Sequence, residues 1–131
     1  MWEYVGMGRT AEGLKEGLKR LKEIRKEFEK ELFIPGEKEG MNVELDKAIR
    51  LYDFITMGEL VAYDALNRNE SCGGHFREEY QTEEGEAKRD DENFFYVACW
   101  EYQGDDEKAP VLYKEPLVYE AIKVQTRNYK S

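Results

Sequence analysis

The sequence predicts a mainly α-helical protein that carries a small antiparallel β tail. Apolar residues recur at helical spacing in two long segments of the first half of the chain. From about residue 70 onward the composition changes to runs of Tyr, Phe and Val separated by turn signals, which is typical of short strands. We therefore expect residues 1–70 to form a helical bundle and residues 71–131 to pack on it, giving one domain overall.

The first helix is predicted from about Ala11 to Leu32. Thr10 is the expected N-cap, because a hydroxyl there can accept from the free N–H groups of the first turn. Pro35 disfavours helical geometry in the residue before it, so the helix should end upstream of it. The apolar residues of the segment are three or four positions apart and form one stripe: Leu14, Leu18, Leu21, Ile24, Phe28 and Leu32.

The second helix is predicted from the N-cap Asn42 to near Asn69. A short loop joins it to the first helix, so the two should run antiparallel. A pair of helices covers each apolar stripe only partly, so we expect a third partner. It could be the N-terminal stub, the tail or another chain. The side expected to be buried carries Leu45, Ile49, Tyr52, Phe54 or Ile55, Leu60 and Leu66.

The second half of the chain predicts a β-hairpin after an acidic loop. The loop covers residues 81–93, and the aromatic run from Phe94 to Tyr102 is the expected first strand. The second strand is expected over 111–119, where Pro116 favours a sheet edge or an interruption. Residues 121–129 could form a third strand or an extended tail.

Composition excludes several classes of protein. The net charge of −9, from 29 acids and 20 bases, argues against binding to nucleic acid or anionic lipid. The sequence has no apolar run of about 20 residues that could span a bilayer and no signal peptide, which favours a cytoplasmic location. Cys72 and Cys99 with one histidine cannot supply the usual four zinc ligands, so two free thiols are expected.

The residues that follow the second helix resemble a motif of the succinate dehydrogenase, fumarate reductase and L-aspartate oxidase flavoproteins. In that family an alanine-rich helix end precedes Arg, any residue, Glu, Ser, Arg, Gly, a small residue, His, any residue, Arg and an acid. Cys72 stands where the family usually has arginine. The positions that match are Arg68, Glu70, Ser71, Gly73, Gly74, His75, Arg77 and Glu78.

The resemblance extends over nearly the whole chain. The run Arg89–Phe94 is similar to a family run of arginine, acids, polar residues and an aromatic that leads into a strand, and it fits the succinate/fumarate branch better than L-aspartate oxidase. Residues 1–9 resemble the end of the family's first C-terminal helix. The resemblance therefore implies a spectrin-repeat-like three-helix bundle with the first helix truncated.

What the resemblance implies for chemistry lies mostly outside this chain. The family interconverts succinate and fumarate with FAD and passes electrons to an iron–sulfur subunit and a membrane anchor. Its dinucleotide motif of closely spaced glycines, its flavin-linked histidine and its substrate-binding residues lie upstream, and the sequence contains no such glycine motif. We therefore expect no catalytic, cofactor-binding or metal site in this fragment, with FAD in the parent subunit.

The remaining candidates for chemistry have simple structural alternatives. His75 could be a general base oriented by a carboxylate, but a histidine that fixes the turn after the helix is the simpler interpretation. The glutamates between 70 and 84 lack the ordered spacing of a calcium loop. Cys72 could be a thiolate activated by nearby arginines, and Gly73–Gly74 could bind phosphate, but an inert substitution and a chain reversal explain them more simply.

We expect Arg68, Glu70, Ser71, His75 and Arg77 to act as an interdomain bracing cluster. These residues would hold the C-terminal domain against the flavin-binding and capping domains of the intact subunit. The expected partners are the rest of the subunit, the iron–sulfur subunit and the membrane anchor, which would place the protein peripherally on the inner face of the membrane. The alternative is a free-standing acidic helical module that binds a protein partner without catalysis. In either case the uncovered apolar face predicts homo-oligomerisation of the fragment.

Overall fold

The computed structural model describes residues 1–37, 39–105 and 107–125. Two long helices pack together, and residues between 68 and 101 contact the C-terminal end of the second helix. None of the helices described is both long and apolar enough to cross a membrane. The elements in chain order are β1 (Gly8–Arg9), α1 (Ala11–Glu31), α2 (Val43–Asn67), β2 (Phe76–Arg77), α3 (Asp91–Phe94), β3 (Tyr96–Glu101) and β4 (Val111–Pro116).

The long helices begin where their capping residues predict. The Thr10 hydroxyl accepts a hydrogen bond from the Gly13 N–H at 3.0 Å, which satisfies a donor of the first turn of α1. The Asn42 side chain accepts from the N–H groups of Glu44 and Leu45 at 3.0 and 3.2 Å. Both predicted N-caps are confirmed because capping depends on local sequence. The second helix ends at Asn67, with Arg68 as its C-cap.

The two helices run antiparallel around a small core. Arg25, near the C-terminal end of α1, meets Glu59 of α2 at 2.8 Å, whereas Leu14 near the start of α1 packs with alanines near the end of α2. Small residues on α2 let the two backbones approach closely. The core consists of Val5, Leu14, Leu21, Ala62 and Ala65, with Tyr4, Leu18 and Leu66 packed against it.

The prediction of which side of α2 is buried was wrong in part. Leu45 and Ile49 are 45% and 58% exposed, because α1 packs instead on a stripe of Ile55 and the small residues Gly58, Ala62 and Ala65. The helix therefore keeps apolar side chains on flanks that no described residue covers. One such flank lies at helical spacing beside the buried Gly58 and is called here the open flank: Leu51, Phe54 and Val61.

The N-terminal residues form a helical turn that sits on both helices. The Val5 N–H donates to the Met1 carbonyl oxygen at 2.8 Å, which is an α-helical hydrogen bond. Residues 1–5 are called the N-terminal turn. A Cβ added at Gly58 would lie 3.2 Å from the Met1 Sδ, and one added at Gly17 would lie 3.0 Å from the Tyr4 Cβ. These two helical glycines thus make room for the turn.

A short parallel pair of strands then joins the segment before α1 to the segment after α2. In this pair β1 lies beside β2, with Gly8 opposite Phe76 and Arg9 opposite Arg77. The Glu78 N–H continues the ladder by donating to the Arg9 carbonyl oxygen at 2.9 Å. The sequence did not predict this pair, because two-residue strands leave no periodic pattern.

The predicted β-hairpin is confirmed, with shorter strands. The β3 and β4 strands pair antiparallel from Tyr96 opposite Pro116 to Glu101 opposite Val111. Phe94 and Phe95 were predicted to be in the strand, but Asp90 caps α3 by accepting from the Asn93 N–H, and this one-turn helix takes up Phe94. Proline has no N–H to donate, so the second strand ends at Pro116 rather than at residue 119.

The tail and the hairpin are placed by few contacts. Residues 121–125 have no regular secondary structure, so the alternative of an extended tail holds for them, and residues 126–129 lie outside the described residues. The hairpin meets the helices through the Trp100 indole N–H, which donates to the Asp64 carboxylate at 2.8 Å. The Tyr63 ring lies edge-on to Trp100, with centroids 5.1 Å apart.

Candidate bracing site

The structure brings all five predicted bracing residues together at the C-terminal end of α2. Ser71, Arg77 and Glu70 are 0%, 2% and 3% exposed, and Arg68 and His75 are half-buried. Burying a charged or polar group without hydrogen-bond partners is unfavourable, so the partners of these residues indicate their role in the fold. No buried side-chain nitrogen or oxygen among the described residues lacks a partner.

Arg77 closes the last turn of α2. Its Nη1 donates to the carbonyl oxygens of Ala65 and Leu66 at 2.9 and 3.2 Å, and its Nε donates to Glu79 at 3.1 Å. The final carbonyls of a helix have no partner within the helix, and a positive charge there also complements the helix dipole. The buried guanidinium therefore fixes β2 to the end of the helix.

Ser71 ties the chain reversal to the strand. Its hydroxyl accepts from the Arg77 N–H at 2.8 Å and donates to the Arg77 carbonyl oxygen at 3.1 Å. Cys72 and His75 exchange backbone hydrogen bonds across the turn between them, and Gly73 adopts a φ of +58°. A positive φ is readily adopted by glycine, so Gly73 serves the chain reversal that the sequence suggested.

Arg68 and Glu70 connect the same helix end to α3 and β3. The Arg68 guanidinium donates to Glu70 at 2.7 Å and to the carbonyl oxygens of Phe94 and Tyr96, both at 3.0 Å. It also lies over the Phe94 and Tyr96 rings, 5.7 and 5.2 Å from their centroids. The second carboxylate oxygen of Glu70 accepts from the Asp90 N–H at 2.9 Å. This pair therefore anchors the run that starts at Arg89.

His75 bridges the N-terminal segment and the helix end. Its Nδ1 lies 2.9 Å from Nη1 of Arg9, and its Nε2 lies 2.9 Å from the Arg68 carbonyl oxygen. Burial lowers the pKa of His75 below its ordinary value, and the charges of Arg9, Arg77 and Arg68 lower it further, against a raising effect of the bond to the Arg68 carbonyl. Both ring nitrogens thus have partners within the chain, as expected of a structural histidine.

The other candidates occupy ordinary positions. Cys72 and Cys99 are free thiols, the first partly buried and the second exposed. Glu83 and Glu84 are exposed, and within the described ranges no three His, Cys, Asp or Glu side chains converge to form a metal site. Glu79, by contrast, has a lowered pKa, because hydrogen bonds from the Ala11 N–H and Arg77 together outweigh the effect of its partial burial.

Sequence reasoning missed two members of this network. Arg9 donates to His75 and to the carbonyl oxygens of Val5 and Gly6, and Glu79 accepts from both the Ala11 N–H and Arg77. The only local signals were an arginine directly before an N-cap and an acid directly after the motif. Neither position indicates a partner so far away along the chain, because the parallel pairing of β1 and β2 brings them together.

Comparison with known proteins identifies the family. A family model described as the fumarate reductase flavoprotein C-terminus matches residues 1–129. The chain belongs to this family. The resemblance found in the motif is therefore confirmed over nearly the whole sequence.

Relatives of the fumarate reductase flavoprotein family match only a small part of their own length. A fumarate reductase flavoprotein subunit of a Serratia species is 34% identical over 94 residues, which is 72% of this chain and 15% of that protein. A chloroplastic L-aspartate oxidase of rice is 38% identical over 90 residues, 68% of this chain and 13% of that protein. This chain thus spans about one seventh of the relatives that it matches.

A solved structure has the same fold. A mutant FrdA chain of Escherichia coli quinol fumarate reductase superposes with a TM-score of 0.78 at 25% identity, covering 96% of this chain and 20% of that one. The helices and the small antiparallel sheet described above are consistent with the helical C-terminal domain of that protein.

Proposed function

We propose that this chain is the C-terminal part of a flavoprotein oxidoreductase that interconverts succinate and fumarate with FAD. The observation that supports this is the match to the family over residues 1–129, together with the hydrogen-bonded cluster that the motif from Arg68 to Glu78 forms at the end of α2. Electrons would pass from the flavin to an iron–sulfur subunit, which would give the enzyme a role in electron transport and in the tricarboxylic acid cycle. A membrane anchor would hold the assembly peripherally on the inner face of the membrane.

FAD is assigned to the rest of the subunit. A flavin needs donors for its pyrophosphate, and the arginines nearest the motif already donate to carbonyl oxygens and carboxylates of this chain. Gly73 and Gly74, the other candidates for binding phosphate, belong to a chain reversal. These contacts support the proposal that FAD binds to the rest of the subunit and that this chain contributes packing.

The bracing cluster supports an interdomain role through its rigidity. Its members join the ends of α2, β1, β2 and β3, which lie far apart in sequence, through buried and partly buried hydrogen bonds. A surface held from several directions can keep a fixed orientation against a neighbouring domain. Residues 1–70 and 71–131 would then act as one body, with the second segment packed on the helical bundle.

The helical part is proposed to be a spectrin-repeat-like three-helix bundle in the intact subunit. A helix with apolar residues on all sides is normally buried, and α2 is apolar on flanks that no described residue covers. Met1 of the N-terminal turn lies against Gly58, next to the open flank. A helix running into that turn would cover Leu51, Phe54 and Val61.

A chimera would test the proposed function. The corresponding segment of the Serratia fumarate reductase flavoprotein subunit would be replaced by residues 1–129, and the chimera would be produced with its partner subunits. We expect bound FAD and fumarate reduction with reduced benzyl viologen within about tenfold of the parent. An unrelated acidic helical hairpin of equal length is the control. A chimera that binds FAD but does not reduce fumarate would contradict the proposal.

A second candidate function rests on the exposed apolar surface. Phe54 and Met57 are 67% and 55% exposed, and such a surface suits a free-standing module that binds an apolar helix of another protein. The same chimera distinguishes the two candidates, because an independent module would not restore fumarate reduction.

A further inference from the structure

One row of hydrogen bonds connects the N-terminal turn to the end of α2. The Arg9 Nε donates to the carbonyl oxygens of Val5 and Gly6 at 3.3 and 3.0 Å, and thus holds the C-terminal end of that turn. The same guanidinium reaches His75, and His75 reaches the carbonyl oxygen of Arg68. The histidine is the one side chain in this row whose charge changes near neutral pH.

The partners of the ring fix its protonation state. A guanidinium can only donate, so the His75 Nδ1 next to Arg9 must accept. A carbonyl oxygen can only accept, so the Nε2 must carry the proton and donate to Arg68. The neutral Nε2–H form satisfies both partners. An imidazolium has no acceptor, so protonation removes the bond from Arg9 and places two positive charges side by side.

The three arginines around the ring oppose its protonation. Arg9 faces the ring from β1, Arg68 from the C-cap of α2 and Arg77 from β2. The nearby acids interact with these arginines rather than with the ring. Glu70 pairs with Arg68, Glu79 pairs with Arg77, and the charge of Asp64 favours the charged form of Arg9. Among the described residues His75 therefore has no carboxylate partner that would stabilise its charge.

We propose that His75 is a pH-sensitive latch, which holds the N-terminal turn on the helices when neutral and releases it when protonated. The turn covers Gly17 with Tyr4 and Gly58 with Met1, and it places Val5, which is 6% exposed, in the core. Release therefore opens the core next to the open flank. This inference concerns residues 1–9 and holds whether or not the proposed function does.

The direction of the pH effect follows from the lowered pKa of His75. The unfolded chain takes up a proton near the ordinary histidine pKa of about 6.5, whereas the folded chain does so only at lower pH. The contribution to stability is therefore complete above about pH 6.5. It is lost as the pH falls from there toward the folded-state pKa.

Nuclear magnetic resonance of the full chain tests the latch directly, because His75 is the only histidine. At pH 7.5 we expect the imidazole nitrogens to show the Nε2–H tautomer, with a pKa below 6.5. The indole N–H of Trp2, in the N-terminal turn, should shift with the same midpoint, whereas that of Trp100 should not. An Nδ1–H tautomer, a pKa at or above 6.5, or an unresponsive Trp2 would overturn the proposal.

Two variants separate the latch from a merely structural role. The glutamine amide of His75→Gln can accept from Arg9 and donate to the Arg68 carbonyl, but it does not titrate. In the wild type, hydrogen exchange of residues 1–9, corrected for the intrinsic pH dependence, should rise at least tenfold across the His75 transition. His75→Gln should show no such rise, and His75→Ala should exchange fast at every pH. A rise in His75→Gln equal to that of the wild type would contradict the latch, even if His75→Ala fails to fold.

Discussion

Ser71 combines complete burial with two hydrogen bonds to the backbone of a single residue. We expect Ser71→Ala to lower the free energy of unfolding by about 1–3 kcal/mol, because it removes the side-chain acceptor of the buried Arg77 N–H, whereas the Arg77 carbonyl oxygen still accepts from the Tyr80 N–H. Urea denaturation measures the change.

The control for Ser71 is Asn69→Ala, an exposed change two residues earlier, which should alter the free energy of unfolding by less than about 0.5 kcal/mol. Equal effects of the two substitutions would mean that the hydroxyl contributes nothing specific. The stability of the buried part of the bracing cluster would then depend on Arg77 and Glu70 alone.

Two helical glycines, one in each long helix, allow a matched pair of alanine substitutions. A Cβ at Gly58 would meet the flexible end of Met1, whereas a Cβ at Gly17 would meet the Tyr4 Cβ at 3.0 Å and the Val5 Cγ2 at 3.6 Å. Alanine improves helix propensity by about 1 kcal/mol over glycine. We expect Gly58→Ala to raise the melting temperature, because the thioether can move aside.

Gly17→Ala should lower the melting temperature, because the crowded Tyr4 Cβ cannot move without shifting the N-terminal turn. The cost of such overpacking is about 1–3 kcal/mol, which exceeds the gain in propensity. A Gly17→Ala protein as stable as Gly58→Ala would show that the turn is not seated as described.

The hairpin depends on one side chain for much of its contact with α2. Trp100→Phe removes the donor to Asp64, so we expect a loss of about 0.5–1.5 kcal/mol and faster hydrogen exchange in β3 and β4. Trp2→Phe is the control, since Trp2 is 97% exposed. Unchanged exchange in the hairpin of Trp100→Phe would mean that other contacts suffice to hold it.

Self-association is the main expectation for the whole molecule. The open flank exposes Phe54, Leu51 and Val61 by 67%, 47% and 41%, and exposed apolar surface of this kind associates in water. We expect sedimentation to show oligomers that grow with concentration. Phe54→Glu should give a monomer with unchanged helical content. A wild-type monomer at high concentration would contradict this expectation.

The parts of the fold that could be predicted from sequence are those that depend on residues close together in the chain. Thr10 and Asn42 mark the helix starts because capping involves neighbouring residues, and the aromatic runs mark the hairpin. The buried side of α2 could be predicted only in part, because the apolar residues of this helix are not confined to one face. The motif predicted which residues cluster, but the roles of Arg9 and Glu79 depend on distant strand pairing.

The parallel pairing of β1 with β2 has a consequence for the order of events during synthesis. A ribosome makes residues 8 and 9 well before 76 and 77, so the partner strand is absent while both long helices are being translated. Closing such a long loop is entropically costly and slows folding. Residues 8 and 9 are therefore made before either long helix but reach their final positions only after both. Until then, the apolar side chains next to them are exposed to chaperones.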